Sequence, residues 1–262
     1  MKRNRIQFPP VDGKNLAQDQ AFFYLKNEDK SEKIRFHDYS KIYSVPGLYE
    51  QLFYDRLKCN SPRMVTDVLA HTIDVNKQHF SEMKVLDFGA GNGMMGEELK
   101  RIGVARLVGV DIVEEARAAT DRDRPGLYDE YYIKDFTKLN EADKEEFGSW
   151  GLNALTSVAA LGFGDIPPLA FIEALNLIEQ EGWVAFNLQE NFFYNSDSTG
   201  FSRLVRDLVF SEYLNINHIE RYMHRLSIEG TPIYYFAVVC WKNSDVPLSF
   251  LEGGQDLLGQ QT

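Results

Sequence analysis

The sequence has little cysteine, no long apolar run and fewer basic than acidic residues. Its only two cysteines, Cys59 and Cys240, lie far apart and belong to no Cys/His cluster. We therefore expect free thiols in a reducing cytoplasm, with no zinc or other metal site. No apolar stretch is long enough to span a bilayer, so a membrane span is not expected. Residues 1–10 are basic but no apolar segment follows them, so a secretory signal is not expected either.

The charge balance limits the classes of partner. The chain of 262 residues carries 39 Asp and Glu against 28 Lys and Arg, which gives a formal net charge of −11. Binding to nucleic acid through its phosphates requires a basic surface, and so does binding to an anionic membrane. The composition therefore argues against nucleic acid as the main partner and against a membrane. It gives no indication of the oligomeric state.

Three glycines at alternate positions follow a short apolar run. Residues 84–96 read KVLDFGAGNGMMG, so that Gly89, Gly91 and Gly93 separate a predicted strand from a predicted helix over 94–99. A strand, a glycine loop and a helix in this order are typical of a nucleotide-binding site. Glycine permits the sharp turn and lets backbone N–H groups approach a ligand, and the helix N-terminus offers further free N–H donors.

A second apolar run, LVGVD at 107–111, ends in an acidic residue. Asp111 lies 22 residues after Gly89. Dinucleotide-binding folds place a ribose-binding acid about 20 residues beyond the glycine loop. A carboxylate at this point can accept hydrogen bonds from both ribose hydroxyls. The loop and the acid together predict a site for a ribose-containing cofactor.

VLDFGAGNG at 85–93 resembles motif I of the class I S-adenosylmethionine-dependent methyltransferases, and Asp111 matches their motif II acid. The resemblance implies an α/β fold with a Rossmann-like seven-stranded sheet flanked by helices. This sheet is parallel with one antiparallel strand, has the order 3-2-1-4-5-7-6, and is preceded by an N-terminal helical cap. The implied cofactor is S-adenosyl-L-methionine, and the implied reaction is in-line methyl transfer to a small-molecule acceptor. AALGF at 159–163 is also loosely similar to methyltransferases of the Williams–Beuren-region type.

The order of the predicted elements divides the chain into four parts. We interpret 1–36 as an N-terminal arm that can form a hairpin between 21–26 and 34–37, 37–80 as the helical cap, 81–243 as the cofactor-binding methyltransferase domain, and 244–262 as a polar tail. In the cap, Ser61 and Pro62 predict the start of a helix with Ser61 as its N-cap. Strand-like runs at 216–226 and 233–241, joined by a turn containing Gly230, predict an antiparallel hairpin.

The resemblance also assigns cofactor contacts. It implies that Asp111 holds the ribose, that Asp135 and Phe136 place the adenine, and that Asp87 orients the amino end of the methionine part. The remaining expected contacts are Gly89, Ala90, Gly91, Ile112, Val158 and, from the cap, Tyr43. Two alternatives stay open at this point: Asp135 can be an N-cap or turn acid, and the cap tyrosines, Tyr39 included, can simply pack on the core.

No single residue is indicated as the catalytic base. An acceptor hydroxyl would have to lose its proton to one, and the candidates are His37, Glu190, His218 and His224. Asp38 could hold the ring of His37 in one tautomer. Each candidate has a structural alternative, because a lone histidine on a strand is commonly a hydrogen-bonded structural residue and an Asp next to a His commonly stabilises a turn.

Two other functions are compatible with parts of the sequence. GNGMMG at 91–96 is itself a dehydrogenase-type GxGxxG, which would indicate an NAD-dependent oxidoreductase. Asp87 inside the first strand and the terminal hairpin argue against it, since a dehydrogenase half would need a helical crossover at that place. Asn153 stands where the resembling family commonly has Asp, and no base is obvious. These two features allow a regulator that binds S-adenosylmethionine without catalysis.

Overall fold

The N-terminal part forms a small antiparallel sheet. The computed structural model describes residues 3–10, 20–26, 30–162, 164–190 and 200–251. Its first strands are β1 (Arg5–Gln7), β2 (Phe22–Lys26) and β3 (Ser31–Arg35), in the order β1-β2-β3. β2 and β3 form the predicted hairpin, although β3 begins three residues before the predicted 34–37 and ends at Arg35. β1 was not predicted: residues 5–7 of the N-terminal arm pair with β2 and add a third strand to the hairpin. Residues 11–19 of the arm lie outside the described ranges.

Three helical segments lie in the part of the chain predicted as the cap. They are α1 (Tyr39–Ser44), a π-helix (Glu50–Arg56) and α2 (Ser61–Val75). The prediction that Ser61 caps α2 is wrong. Asn60 occupies the N-cap position without a side-chain capping bond, and the hydroxyl of Ser61 lies 2.6 Å from both Tyr222 Oη and His224 Nδ1. The hydroxyl of Ser61 therefore contacts two side chains of the terminal hairpin and does not cap α2.

A seven-stranded sheet forms the centre of the molecule. Its strands are β4 (Lys84–Phe88), β5 (Arg106–Asp111), β6 (Glu130–Ile133), β7 (Ala154–Ser157), β8 (Trp183–Gln189), β9 (Leu214–Leu226) and β10 (Pro232–Lys242). They lie in the order β6-β5-β4-β7-β8-β10-β9. Numbered from β4, this is 3-2-1-4-5-7-6, which confirms the prediction. β10 is the antiparallel strand, inserted between β8 and β9.

Helices cover the sheet and bury its strands. They are α3 (Met94–Ile102), α4 (Glu114–Asp123), α5 (Glu141–Gly148), α6 (Pro168–Asn176) and α7 (Phe201–Phe210). Side chains of β4 alternate between two apolar clusters, with Leu86 and Phe88 in one and Val85 in the other. Burial on both sides explains why the parallel strands read as nearly continuous apolar runs. In the described ranges, no helix combines the length and the apolar character needed to cross a membrane.

The start of the predicted polar tail is anchored to the domain. Val246 is 1% exposed, and its backbone exchanges two hydrogen bonds of 2.8 Å with the side chain of Asn176 at the end of α6. The Nζ of Lys242, which is fully buried, lies 2.6 Å from Asp245. Residues 252–262 lie outside the described ranges.

The core position of Phe186 gives a test of this packing. Phe186 on β8 is fully buried, and its ring lies 6.0 Å from that of Phe171 on α6. We expect Phe186→Ala to lower the free energy of unfolding by about 3–5 kcal/mol, because it leaves a cavity in a close-packed core. Phe210→Ala is the matched control, since Phe210 is 78% exposed and its loss should change stability by less than about 0.5 kcal/mol. Urea unfolding measures both, and equal effects would contradict this packing.

Candidate functional site

A cavity of about 300 Å³ lies at the carboxyl ends of β4, β5 and β6, beneath the cap. This is the edge at which open α/β sheets bind ligands. Its wall includes residues 89–92, 110–113, 134–136, 158–160 and 165–167, together with Tyr39, Tyr43, Tyr49 and Tyr54 from the cap. Nine of the ten predicted cofactor contacts line this cavity: Tyr43, Gly89, Ala90, Gly91, Asp111, Ile112, Asp135, Phe136 and Val158.

The glycine loop is held tightly against its surroundings. The N–H groups of Gly89 and Ala90 both donate to the carbonyl of Val110, at 2.9 Å. Gly91 has a φ of +55°, and a Cβ added there would lie 2.5 Å from Tyr43 Oη. The carbonyl of Gly91 accepts hydrogen bonds from Tyr131 Oη (2.7 Å) and Thr120 Oγ1 (3.0 Å). The absence of a side chain at Gly91 is therefore a steric requirement. No local sequence pattern indicates that Tyr131 and Thr120 position this carbonyl.

The carboxylate of Asp111 joins the glycine loop to the end of β5. Its Oδ2 accepts the N–H of Gly91 and its Oδ1 accepts the N–H of Val113, each at 2.9 Å. Burial raises the pKa of Asp111, although both backbone hydrogen bonds act to lower it. Each oxygen keeps a second lone pair, so this carboxylate can still accept from a ligand in the cavity.

Asp135 has the N-cap role that the sequence left open, and it also lies where a contact with a cofactor is possible. It caps a short 3₁₀-helix (Phe136–Lys138), since its Oδ1 accepts from the backbone N–H (3.0 Å) and the hydroxyl (2.6 Å) of Thr137. The hydrogen bonds from Lys138 and Thr137 lower the pKa of Asp135 to about 2. It also lies on the cavity wall, so its capping role does not remove it from reach of a ligand.

Asp87 lies behind the cavity wall. Its side chain is 1% exposed and accepts hydrogen bonds from Tyr128 Oη (2.7 Å) and Thr156 Oγ1 (2.9 Å). Burial raises the pKa of Asp87 to about 6, and the nearby charge of Asp111 acts in the same direction. Of the predicted cofactor contacts, it is the one that the structure places away from the cavity surface.

The four candidate bases occupy different environments. Nδ1 of His37 lies 2.9 Å from Asp165 Oδ2, and Asp165 is on the cavity wall. Of the two alternatives left open for Asp38, the structure favours the turn: Asp38 accepts hydrogen bonds from the backbone and the side chain of Arg35. The carboxylate beside His37 comes instead from Asp165, 128 residues away. In the part of the chain that the structure describes, no group of three or more His, Cys, Asp or Glu is placed to hold a metal ion.

The other three candidates are engaged elsewhere. Glu190 forms a two-bond ion pair with Arg221 (2.7 and 3.0 Å), which lowers the pKa of Glu190. His218 lies on β9 beside Glu220, at 3.6 Å, and neither His218 nor Glu190 is on the cavity wall. His224 is 4% exposed, lies 2.6 Å from the hydroxyl of Ser61, and has a pKa far below its usual range because of burial. It is therefore neutral at pH 7 and a weak base.

A second, smaller cavity of about 50 Å³ adjoins the first. The two share Tyr39, Tyr49, Ala159, Ala160 and Asp165. The remaining wall of the second cavity is formed by Phe36, His37, Phe53, Cys59, Leu161, His224, Arg225 and Tyr235. These residues come from the end of the N-terminal arm, from the cap, from the loop after β7 and from the terminal hairpin, so no local sequence pattern could have brought them together.

The titration of Asp87 gives a prediction for stability. Because its pKa is about 6 in the folded state and near 3.8 in an unfolded chain, the folded protein binds a proton more tightly. The free energy of unfolding must therefore fall as pH rises from about 4 to 6. We expect Asp87→Asn to remove this dependence, so that its stability relative to wild type rises by about 1–3 kcal/mol between pH 4 and 7. Urea unfolding at both pH values measures this difference, and parallel pH curves for the two proteins would contradict it.

Comparison with known proteins identifies the fold. No protein-family model matches the sequence, and no curated protein sequence is significantly similar to it. A methyltransferase from Anabaena variabilis, described as SAM-dependent, has a similar structure with a TM-score of 0.54 at 15% identity, covering 78% of this chain and 92% of its own. One from Clostridium acetobutylicum gives 0.53 at 10% identity, covering 75% and 97%.

A third similar structure contains a bound ligand. The N-methyltransferase NodS from Bradyrhizobium japonicum, solved in complex with S-adenosyl-L-homocysteine, gives a TM-score of 0.54 at 10% identity and covers 79% of this chain and 97% of its own. Identities this low establish the fold alone. With its strand order and its inserted antiparallel strand, this chain has the fold of the class I S-adenosylmethionine-dependent methyltransferases.

Proposed function

We propose that the protein is an S-adenosyl-L-methionine-dependent methyltransferase that acts on a small-molecule acceptor. The observation that carries this proposal is the hydrogen bond of 2.9 Å between Asp111 and the N–H of Gly91 on the wall of the larger cavity. It supports the idea that the acid and the glycine loop, which the sequence predicts to bind one ligand, act at a single site.

The cavity residues fit an adenosyl group. The free lone pairs of Asp111 suit the two ribose hydroxyls. Ile112 and Phe136 offer apolar contact to an adenine ring, and Asp135 offers an acceptor for its amino group. Four tyrosines cover the cavity from the cap, and the faces of aromatic rings attract a cation such as a sulfonium. Asp87 does not reach the cavity surface, so it would act indirectly, by holding the side chains of Tyr128 and Thr156 in place.

The residues of this chain would contribute mainly alignment and exclusion of water. When bound, the cofactor supplies a methyl group on a sulfonium, a leaving group that needs no further activation. Tyr39 and Tyr43 are stacked at 6.0 Å between ring centroids and close the cavity towards the cap. Ala159 and Ala160 leave space where the two cavities meet. Holding two reactants in line in such an enclosure can supply much of the rate enhancement.

For an acceptor that must lose a proton, His37 is the candidate that the geometry favours. Its Nδ1 lies 2.9 Å from the carboxylate of Asp165, and Asp165 lines both cavities. A carboxylate in contact with one ring nitrogen orients the imidazole and leaves the other nitrogen to face a ligand. We therefore assign proton acceptance to His37 and its positioning to Asp165.

Several observations support a small-molecule acceptor and a cytoplasmic location. The second cavity is small and joined to the first, and the net charge of −11 disfavours a nucleic-acid substrate. Cys59 and Cys240 are both free thiols, as suits a reducing compartment. In this proposal residues 37–80 form the cap and 81–243 the catalytic domain.

Neither alternative function gains support from the structure. Asn153, which allowed a non-catalytic regulator, has a structural role: its side chain accepts the N–H of Lys84 (2.8 Å) and donates to the carbonyl of Glu82 (2.9 Å). These bonds tie the start of β7 to β4, a task for which an amide suits better than a carboxylate because it both donates and accepts. Against a dehydrogenase stands β10, which runs antiparallel between β8 and β9.

Calorimetric titration tests the proposed cofactor. We expect S-adenosyl-L-homocysteine to bind and NAD to show no binding at the same concentrations. Incubation with methyl-labelled S-adenosylmethionine and a small-molecule fraction of a cell extract should then transfer label to an acceptor. Binding without any transfer would favour the regulator, and binding of NAD alone would contradict the proposal.

The steric requirement at Gly91 allows a sharper test. We expect Gly91→Ala to weaken S-adenosylhomocysteine binding at least about ten-fold, because the new Cβ displaces the Tyr43 hydroxyl and roughly 1.4 kcal/mol of binding energy would be lost. Gly103→Ala is the matched control: Gly103 also has a positive φ of +87° but nothing within 4 Å of its Cβ position. Both variants should carry a comparable backbone strain of roughly 1–2 kcal/mol.

Calorimetry on both variants, with thermal unfolding beside it, separates binding from folding. Adding Tyr43→Phe to Gly91→Ala should restore part of the affinity, because the atom in the way is the tyrosine hydroxyl. If Gly91→Ala bound as tightly as Gly103→Ala, the glycine loop would not belong to the cofactor site.

A further inference from the structure

The second cavity contains a buried cation without a described anionic partner. Arg225, on β9, is 4% exposed and lines this cavity. Its Nη1 donates to the carbonyl of Leu226 at 2.9 Å, and its guanidinium carbon lies 5.4 Å from the ring centroid of Phe36. Within the described ranges, no Asp or Glu oxygen lies within 4 Å of a guanidinium nitrogen of Arg225. Burial consequently lowers the pKa of Arg225.

Two other arginines of the protein are paired with carboxylates although they are more exposed than Arg225. Arg221, four residues earlier on the same strand, is 47% exposed and binds Glu190 through two hydrogen bonds. Arg124, at 13% exposure, contacts Glu50 and Glu97, each at 2.9 Å. Removing a guanidinium from water is costly unless an anion compensates for the lost hydration. Arg225 is more buried than either, so its position calls for an anion from outside the described chain.

We propose that the second cavity receives the methyl acceptor and that Arg225 pairs with a carboxylate on it, an inference that rests on the proposed methyltransferase function. The acceptor is accordingly a carboxylic acid. Its charged end lies against β9, and its reactive end faces the boundary with the larger cavity, where Ala159, Ala160 and Asp165 belong to both walls.

The rest of the cavity wall suits this ligand. Among the described lining residues the acidic group is Asp165, and its carboxylate lies 2.9 Å from Nδ1 of His37. His224 is held neutral by its low pKa and does not compete for an anion. Phe36, Tyr49, Phe53 and Tyr235 supply apolar and aromatic surface. A single guanidinium fork matches the two oxygens of one carboxylate, whereas a phosphate group commonly draws on several donors.

The boundary between the two cavities is fixed by a buried polar network. Ala159, which has a φ of +57°, donates its N–H to Asn187 Oδ1 at 2.7 Å. The Nδ2 of Asn187 donates to Tyr222 Oη (2.7 Å) and Ser61 Oγ (3.1 Å). This network connects the loop after β7 to β8, α2 and β9, the strand that carries Arg225. The distance from the anion-binding group to the boundary is therefore set by buried contacts.

A carboxylate could also come from the methionine part of the cofactor, so the experiment must separate the two sources. The probes are benzoate and acetate, each compared with its neutral amide, benzamide and acetamide. They are titrated by calorimetry into protein saturated with S-adenosylhomocysteine, and in parallel into the free protein. For wild type we expect at least one carboxylate to bind ten-fold or more tightly than its amide.

Three variants assign the preference to Arg225. Arg225→Met should abolish the preference for the carboxylate and change the affinity for S-adenosylhomocysteine by less than two-fold. Arg225→Lys keeps the charge without the planar fork and should retain a weakened preference. Arg221→Met is the matched control, since it removes a cation from the same strand outside both cavities, and it should behave as wild type. The ligand-free Arg225→Met protein should unfold at the same or a higher temperature than wild type, because the unpaired charge is gone.

Each contrary result has a defined meaning. Equal binding of both carboxylates and their amides by wild type, or an unchanged preference in Arg225→Met, would overturn the proposal. A ten-fold loss of S-adenosylhomocysteine affinity in Arg225→Met would assign Arg225 to the cofactor instead. Phenyl phosphate binding ten-fold more tightly than benzoate would replace the carboxylate by a phosphate. Failure of wild type to bind S-adenosylhomocysteine would refute the proposed function, while the titrations of free protein would still decide whether Arg225 is an anion site.

Discussion

The hydrogen bonds accepted by Asp111 are the constraint on which the candidate site depends. One oxygen holds the N–H of Gly91 in the loop after β4, and the other holds the N–H of Val113 after β5. Since β4 and β5 are parallel neighbours, both loops leave the same edge of the sheet. The hydroxyls of Tyr131 and Thr120 fix the carbonyl of Gly91. The peptide groups around Gly91 are thus held by hydrogen bonds from three elements, β5, β6 and α4, which position this part of the wall of the larger cavity.

Three buried ionisable residues differ in how the cost of burying their charge is offset. Lys242 is fully buried and has both Asp245 and the carbonyl of Ile178 as partners. Asp87 has two hydroxyl donors and a pKa raised to about 6, so it can become neutral at modest cost. Arg225 can do neither, because a guanidinium stays protonated in proteins and no described carboxylate reaches it. Lys242 and Asp87 are therefore stabilised by partners within the fold, whereas the charge of Arg225 is available to a ligand.

Local patterns predicted most of the sheet and much of the lining of the larger cavity, and long-range contacts account for what was missed. The apolar runs, the alternating glycines and Asp111 lie within about 30 residues of one another, so their spacing can be recognised in the sequence. β1, by contrast, is three residues long and exists only because β2 pairs with it. Ser61 was predicted to cap α2 but binds side chains of β9, and His37 takes Asp165 as its partner in place of the adjacent Asp38. Arg225 gave no signal, since its surroundings come from four separate parts of the chain.

A crystal structure of the protein with S-adenosyl-L-homocysteine tests the central claim most directly. The expected result is an adenosyl group in the larger cavity, with both ribose hydroxyls within hydrogen-bond distance of Asp111 and the sulfur directed towards the boundary formed by Ala159 and Ala160. Density for the ligand at another edge of the sheet, or an empty cavity at saturating ligand concentration, would contradict the account.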